Sequence, residues 1–161
     1  MKNNDKCGME NTWRLPTIDE LRTLIKKQRR GERQIDNAVF QNCPSSVFWS
    51  GSPNAGDSSY AWGVNFYYGY VNSYYRSYDY SVRLVRDGQS FAPTIAPDGI
   101  GIDEINGFLI DNQNGTAFDT KTELEWKIPA VGQRWDAELK TVTGVTKTFT
   151  FNEAMERTWE H

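Results

Sequence analysis

The chain has 161 residues, of which 38% are hydrophobic and 24% are charged, and its formal net charge is −3. A domain of this size can bury a sizeable core, and the sequence lacks the apolar run of roughly 18 residues that a membrane-spanning helix needs, so we expect no membrane insertion. With His161 as the only histidine and Cys7 and Cys43 as the only cysteines, the composition argues against histidine-dependent catalysis and tetrahedral zinc sites, and its overall acidity argues against nucleic acid as a partner.

The first predicted element is a helix that begins after Thr17. Thr17 followed by Glu20 three positions later is typical of a capping box. The apolar residues that follow recur at helical spacing, so one face of the helix is predicted to pack on a core. We expect the helix to run to about Gln28 or Arg30 and to stop at Gly31.

The end of this predicted helix is strongly basic. A cluster of cations can bind a polyanion, and the candidates for a weak polyanion site are Arg29, Arg30 and Arg33. Cations also complement the negative end of a helix dipole, so a solvated helix end is the interpretation that we prefer.

A pair of strands is predicted on either side of Gly69. Trp62, Val64 and Phe66 alternate with smaller or polar residues, which is the period of a strand with one buried face. Gly69 permits the turn, and Val71 resumes the inward pattern after it. These four apolar side chains are predicted to face the core, and Trp62 and Trp13 are both predicted to be core anchors.

Two further strands flank this pair, and a connector follows them. Val47–Trp49 is a short apolar run between loop residues, and Ser81–Arg86 is a strand that ends at an Asp-Gly turn. Residues 88–107 contain several prolines and glycines and are predicted to connect a first segment, 1–87, to a second segment, 108–161.

The second segment is predicted to open with a hairpin and to end with a helix. Phe108–Ile110 forms the first arm, Asp111–Gly115 the turn and Thr116–Asp119 the second arm. The acidic and amide residues of that turn do not match a calcium loop, so they are interpreted as turn formers. The final helix is predicted to start near Asn152, with Asn152 or Thr150 as its cap.

Taken together, five motifs resemble the bacterial family typified by the C-terminal domain of the Legionella collagen-like adhesin. They occur in the order of that family, and they are Trp13–Thr17, Glu20–Leu21, Phe48–Ser50, Ala61–Phe66 with Gly69, and Val82–Arg86.

The resemblance implies an α+β, C-type-lectin-like fold, with a mainly antiparallel sheet and two helices. The family is similar in fold to C-type lectins and to the formylglycine-generating enzyme. The cysteines and metal of the latter are not matched residue by residue here, so we expect no enzyme activity, metal or cofactor. The tripeptide signatures of calcium-dependent sugar binding are also absent, which argues against metal-bridged sugar recognition.

The order of segments is inverted relative to that family. Residues 114–126 and 151–154 resemble the part with which such domains begin, yet they come last. Circular permutation, a domain swap and a fragment of tandem repeats would each produce this order. We expect 108–161 to complete the same domain, with the strand near Val82–Arg86 beside one arm of the Phe108 hairpin and the last helix against the Thr17 helix.

The residues between Tyr60 and Tyr80 include all eight tyrosines of the chain and are the candidate binding surface. Tyrosine, asparagine, serine and arginine are common in recognition loops because they offer large contact areas and adaptable hydrogen bonds. We expect about half of these rings to pack the core instead, which still leaves an exposed aromatic patch. The candidate ligand-binding residues are Tyr67, Tyr68, Tyr70, Asn72, Tyr74, Tyr75, Arg76, Tyr78, Asp79 and Tyr80.

The amino-acid types of this stretch also suggest a mechanism of variation. Tyr, Asn, Ser and Asp share codons that can be reached from AAY by altering adenines. The variable proteins of diversity-generating retroelements use such codons on C-type lectin folds. Ordinary divergence at a ligand face would give the same composition, so both explanations stay open.

The sequence therefore predicts a noncatalytic recognition module at a bacterial cell or phage surface. The expected ligand is a protein or glycan, and the family resemblance implies sulfated polysaccharide as one class. The alternative is a structural tandem-repeat domain of an adhesin without a ligand of its own. The N-terminal residues lack the apolar core of a secretion signal, so export would depend on residues outside this chain. In an exported protein Cys7 and Cys43 could form a disulfide, and two free thiols are the other reading.

Overall fold

A computed structural model describes residues 12–88 and 109–159 of the chain. In these residues the architecture is α+β with antiparallel sheets and two short helices, as predicted. In chain order the elements are α1 (Ile18–Arg22), β1 (Val47–Pro53), β2 (Tyr60–Asn65), β3 (Tyr70–Tyr75), β4 (Val85–Asp87), β5 (Leu109–Asp111), β6 (Thr116–Asp119), β7 (Leu124–Lys127), β8 (Arg134–Asp136), β9 (Thr141–Thr143) and α2 (Phe151–Glu156). Neither helix in this described part is long and apolar enough to cross a bilayer.

The strands form three sheets whose paired strands are antiparallel. The first has the order β1-β2-β3, the second β4-β7-β6-β5, and the third is the pair β8-β9. The predicted hairpins are confirmed, because β2 pairs with β3 across Gly69 and β5 pairs with β6 across Gly115. Both glycines have positive φ angles, 76° and 88°, which residues with a Cβ adopt at a cost.

Capping boxes begin both helices. The Thr17 hydroxyl accepts from the Glu20 amide at 3.2 Å, and the Glu20 carboxylate accepts from the Thr17 amide at 2.8 Å. Thr150 and Glu153 repeat this arrangement in α2, so the cap there is Thr150, one of the two predicted candidates.

The first helix is much shorter than predicted, and the expected end near Gln28 or Arg30 is wrong. The chain leaves the helix at Thr23, whose hydroxyl donates to the Glu20 carbonyl at 2.6 Å. The Lys26 amide then bonds to the Gln34 carbonyl at 2.9 Å, so the chain folds back on itself. A longer helix would bring like charges together at i, i+4 spacing along the basic stretch, which disfavours it.

Removing a capping hydroxyl is expected to destabilise the fold. Thr17→Ala and Thr150→Ala should each lower the free energy of unfolding by about 1 kcal/mol, because one amide at each helix start loses its acceptor. Urea denaturation measures this, with Thr17→Ser and Thr150→Ser as controls that keep the hydroxyl. Alanine variants as stable as the serine variants would show that the caps contribute nothing.

The core consists of two clusters of buried residues, and both include side chains from before and after the undescribed 89–108 segment. One cluster joins Leu21 and Phe48 to Trp126 and Ile128. The other joins Trp13, Trp49 and Ala61 to Phe149, Phe151 and Ala154. Trp13 is 4% exposed, so its predicted role as a core anchor is confirmed.

The strand β4 differs from its prediction both in its partner and in its length. β4 pairs with β7, from Val85 opposite Trp126 to Asp87 opposite Leu124, and not with either arm of the β5-β6 hairpin. The predicted strand at Ser81–Arg86 is shorter, because the Val82 and Leu84 carbonyls instead accept from amides at residues 131 and 127.

The last helix packs against β1 rather than against α1. The rings of Trp49 and Phe151 meet edge to face with centroids 5.6 Å apart. Across the neighbouring cleft, α2 faces the segment that leads into α1, near Trp13 and Leu15. The predicted contact between the two helices is therefore replaced by a contact of α2 with β1.

Candidate ligand-binding surface

The tyrosine-rich stretch folds into the β2-β3 hairpin and the turn after it. Register and ring contacts sort its eight tyrosines into three groups. We call them the tip cluster (Tyr67, Tyr68 and Tyr70), the strand-end cluster (Tyr60, Tyr75 and Tyr78) and the anchored pair (Tyr74 and Tyr80).

The tip cluster is exposed. Tyr68 and Tyr70 are 60% and 63% accessible, and their rings are stacked with centroids 5.7 Å apart and planes 16° apart. The Tyr67 ring meets the Tyr68 ring edge to face at 4.7 Å. Because the rings support one another, they form a continuous aromatic surface at the end of the hairpin.

Hydrogen bonds to Asn65 hold the backbone that carries the tip cluster. The Asn65 side-chain oxygen accepts from the amides of Tyr67 and Tyr68 at 2.9 and 3.3 Å, and the Asn65 carbonyl accepts from Gly69 at 2.8 Å. A Cβ on Gly69 would lie 3.1 Å from the Gln34 side chain. The tip is therefore packed against the loop that follows α1.

The strand-end cluster lies at the opposite end of β3. The Tyr60 and Tyr75 rings, on directly paired residues, have centroids 4.3 Å apart, and Tyr78 meets Tyr75 edge to face at 5.6 Å. The hydrogen bond between the Tyr60 and Tyr75 side chains is the main reason that the pKa of Tyr60 is raised to about 12. Tyr75 and Tyr78 are exposed, so this cluster offers a second aromatic surface.

The anchored pair belongs to the core margin. Tyr80 contacts the buried Trp49 ring at 5.0 Å and the Tyr74 ring at 5.2 Å. Both tyrosines are half-buried, and burial is the main cause that raises the pKa of each. Both rings pack against the second core cluster, so they contribute less exposed surface than the tyrosines of the other two groups.

The three other candidates of the stretch have different environments. Asn72 is exposed on β3, and its side-chain oxygen accepts from the Ser73 amide at 2.8 Å. Asp79 is exposed in the turn. Arg76 is half-buried, donates from Nε to the Tyr60 carbonyl at 3.1 Å and lies over the Phe151 ring, so it joins the hairpin to α2.

Two residues assigned to the core from their alternation are misplaced. Val71 is exposed, and Trp62 is half-buried and belongs to neither cluster. Their face of the sheet is covered near Val64 by Leu21 and its neighbours, but α1 ends too early to cover the rest. Trp62 is therefore only partly covered, which sequence alternation alone did not indicate.

The basic loop packs beside the hairpin tip. The Gln34 amide donates to the Phe66 carbonyl at 2.6 Å, which brings the loop against the residue that precedes the tip cluster. Arg29 and Arg30 are exposed on it. The guanidinium of Arg33 has no hydrogen bond or ion pair within the described residues, and its buried Nε is unpaired. The structure thus places the candidate arginines and the tip tyrosines on neighbouring segments.

Cys43 is a buried thiol beside Arg83, with a distance of 3.6 Å from the Arg83 guanidinium to Sγ. Burial is the main cause that raises the pKa of the Cys43 thiol. The predicted partner Cys7 lies outside the described residues. Across residues 12–88 and 109–159, no three histidine, cysteine, aspartate or glutamate side chains gather closely enough to hold a metal ion.

Comparison with known protein families gives a match to this chain. The family model described as the Lcl C-terminal domain matches residues 1–86, which is more than half of the chain. No curated protein and no solved structure matches significantly. The matched region contains α1, the β2-β3 hairpin and both tyrosine clusters.

Proposed function

We propose that this chain, which belongs to the Lcl C-terminal domain family of the Legionella collagen-like protein, is a noncatalytic recognition module. It recognises its ligand through the tip cluster and the strand-end cluster. The exposure of Tyr68 and Tyr70 on a fixed hairpin is the observation that carries the proposal. Exposed aromatic patches on a soluble domain are typical of interaction sites.

The construction of the hairpin supports this role. Tyrosine presents a large ring and a hydroxyl at low entropic cost, and a fixed backbone reduces the ordering cost of binding. The Asn65 contacts and the anchored pair hold the hairpin without using the exposed rings. The exposed side chains can therefore vary while the fold is kept, which is the property that a diversified face would need.

The neighbouring arginines extend the proposal to ligand chemistry. Arg29 and Arg30 lie on the loop beside the tip, so a ligand that contacts the tyrosines can also meet positive charge. This favours an anionic glycan, such as a sulfated polysaccharide, or a protein with an acidic patch. We place the module on a bacterial cell or phage surface, as part of a longer adhesin, with a C-type-lectin-like fold and permuted segment order.

A combined glycan and protein array tests the proposal. We expect the domain to bind at least one class of immobilised ligand, and the Tyr68→Ala/Tyr70→Ala variant to lose that binding. The matched control is Tyr68→Phe/Tyr70→Phe, which keeps the rings. An array without hits, or hits that survive the alanine changes, would instead favour a structural repeat domain with no ligand of its own.

A further inference from the structure

The outer edge of β3 is the unpaired edge of its sheet in the part of the chain that the structure describes. β3 is the last strand of the β1-β2-β3 sheet, and within the described residues no strand pairs with its other side. The six register pairs with β2 run without a bulge from Tyr70 to Tyr75. The strand contains no proline and no charged residue, the usual means by which proteins protect such an edge.

The direction of the main-chain groups follows from contacts on β2. The Trp62 carbonyl accepts from the Ser50 hydroxyl at 2.6 Å and the Tyr60 carbonyl accepts from the Asn54 amide at 3.1 Å, so both point toward β1. Neighbouring residues of a strand point to opposite sides, so the β2 residues between them, such as Ala61, turn their main-chain groups toward β3.

The partners of those residues on β3 therefore face β2, and Val71, Ser73 and Tyr75 direct their main-chain groups outward. The Ser73 amide is consistent with this direction, since it donates to the Asn72 side chain at 2.8 Å instead of to β2. The Tyr75 carbonyl accepts from Tyr78 at 3.0 Å. Both main-chain groups of Val71, the Ser73 carbonyl and the Tyr75 amide remain without a partner in the described chain.

We infer that this edge binds an extended polypeptide segment as an added antiparallel strand. An extended peptide alternates donors and acceptors at the spacing that this edge presents, and recognition by strand addition draws its affinity from such main-chain bonds. The inference goes beyond the proposed function, because it adds a peptide site along the edge of β3 to the surface formed by the tyrosine clusters.

The side chains along the edge define the kind of peptide. Val71 and Tyr75 lie on one face of the sheet and are exposed, so they favour β-branched or aromatic residues opposite them. Tyr70 and Asn72 lie on the other face and favour polar residues. The expected ligand alternates apolar and uncharged polar side chains over about six residues, the length of β3.

Selection from a random heptapeptide phage library tests this inference, with the parent domain and two variants as targets. Val71→Pro removes an outward amide without removing a bond to β2, and Val71→Thr keeps the amide. We expect peptides with alternating pattern to be enriched on the parent and on Val71→Thr, and to bind Val71→Pro about tenfold more weakly or worse.

The enriched peptides, made synthetically with N-methyl groups on alternate residues, give a second test that does not depend on a folded variant. One of the two methylation phases covers the peptide residues whose amides face β3, and it should weaken binding by about tenfold or more. The other phase covers the residues between them and should have little effect. Equal losses in both phases, or no enrichment over Val71→Pro, would overturn strand addition.

Two other results would separate this inference from the proposed function. Glycan binding that requires Tyr68 and Tyr70, with no peptide enriched, would leave recognition standing and reject strand addition. A dimer seen by sedimentation and lost in Val71→Pro would assign the edge to a second copy of the chain, and would also reject the peptide.

Discussion

Trp49→Ala is expected to lower the free energy of unfolding by about 3–5 kcal/mol, the usual cost of truncating a buried tryptophan. Trp49 is completely buried, and its indole nitrogen donates to the Phe149 carbonyl at 2.8 Å. Its ring also contacts Tyr80 and Phe151. One side chain therefore connects β1, the anchored pair and α2, and its loss leaves a cavity and removes one of the two hydrogen bonds that the Phe149 carbonyl accepts.

Urea denaturation of Trp49→Ala beside Trp62→Ala measures this effect. Trp62 has the same size but is half-buried and lies outside both core clusters, so its removal should cost clearly less. Equal destabilisation by the two substitutions would contradict the assignment of Trp49 to the core and Trp62 to the surface.

Arg83→Ala is expected to lower the free energy of unfolding by at least about 3 kcal/mol, since two carbonyls lose a donor and a cavity opens between two rings. Arg83 is fully buried, and its guanidinium donates to the Lys127 and Ile128 carbonyls. It lies 4.7 Å from the Phe40 ring centroid and 5.2 Å from that of Phe48. Burial lowers the pKa of this arginine, which reflects how little water reaches it.

The same denaturation experiment includes two comparisons for Arg83. Arg83→Lys should also destabilise the protein, because an ammonium cannot reproduce the planar contacts of a guanidinium. Arg22→Ala, which removes an exposed arginine with one long ion pair, should change stability by less than about 0.5 kcal/mol. A stable Arg83→Ala variant would show that the buried guanidinium does not hold the second sheet to the core.

The features that the sequence predicted correctly depend on near neighbours. Thr17 and Glu20 form a capping box whatever lies around them, and Gly69 and Gly115 mark turns because of their backbone freedom. The tyrosine-rich stretch was also visible as composition. Each of these patterns involves only a few adjacent residues, so it can be recognised without knowledge of the tertiary structure.

The errors concern contacts between distant segments. Alternation placed Trp62 correctly on the face of Val64 but could not tell that α1 stops before covering it. Nothing local distinguishes Arg83, which is buried, from Arg86, which pairs with Glu125 near the surface. The pairing of β4 with β7 and the packing of Tyr80 on Trp49 likewise depend on where the rest of the chain lies.

The most direct test of recognition through the exposed tyrosines compares two double variants for binding and stability. Dissociation constants are measured for the ligand found on the array, and unfolding free energies by urea. Tyr68→Ala/Tyr70→Ala should weaken binding by about 100-fold or more while costing less than about 1 kcal/mol of stability. Tyr74→Ala/Tyr80→Ala should mainly destabilise the fold, because these rings pack beside Trp49. If Tyr68→Ala/Tyr70→Ala unfolds the protein, or binds as tightly as the parent, the exposed tyrosines are not the recognition surface.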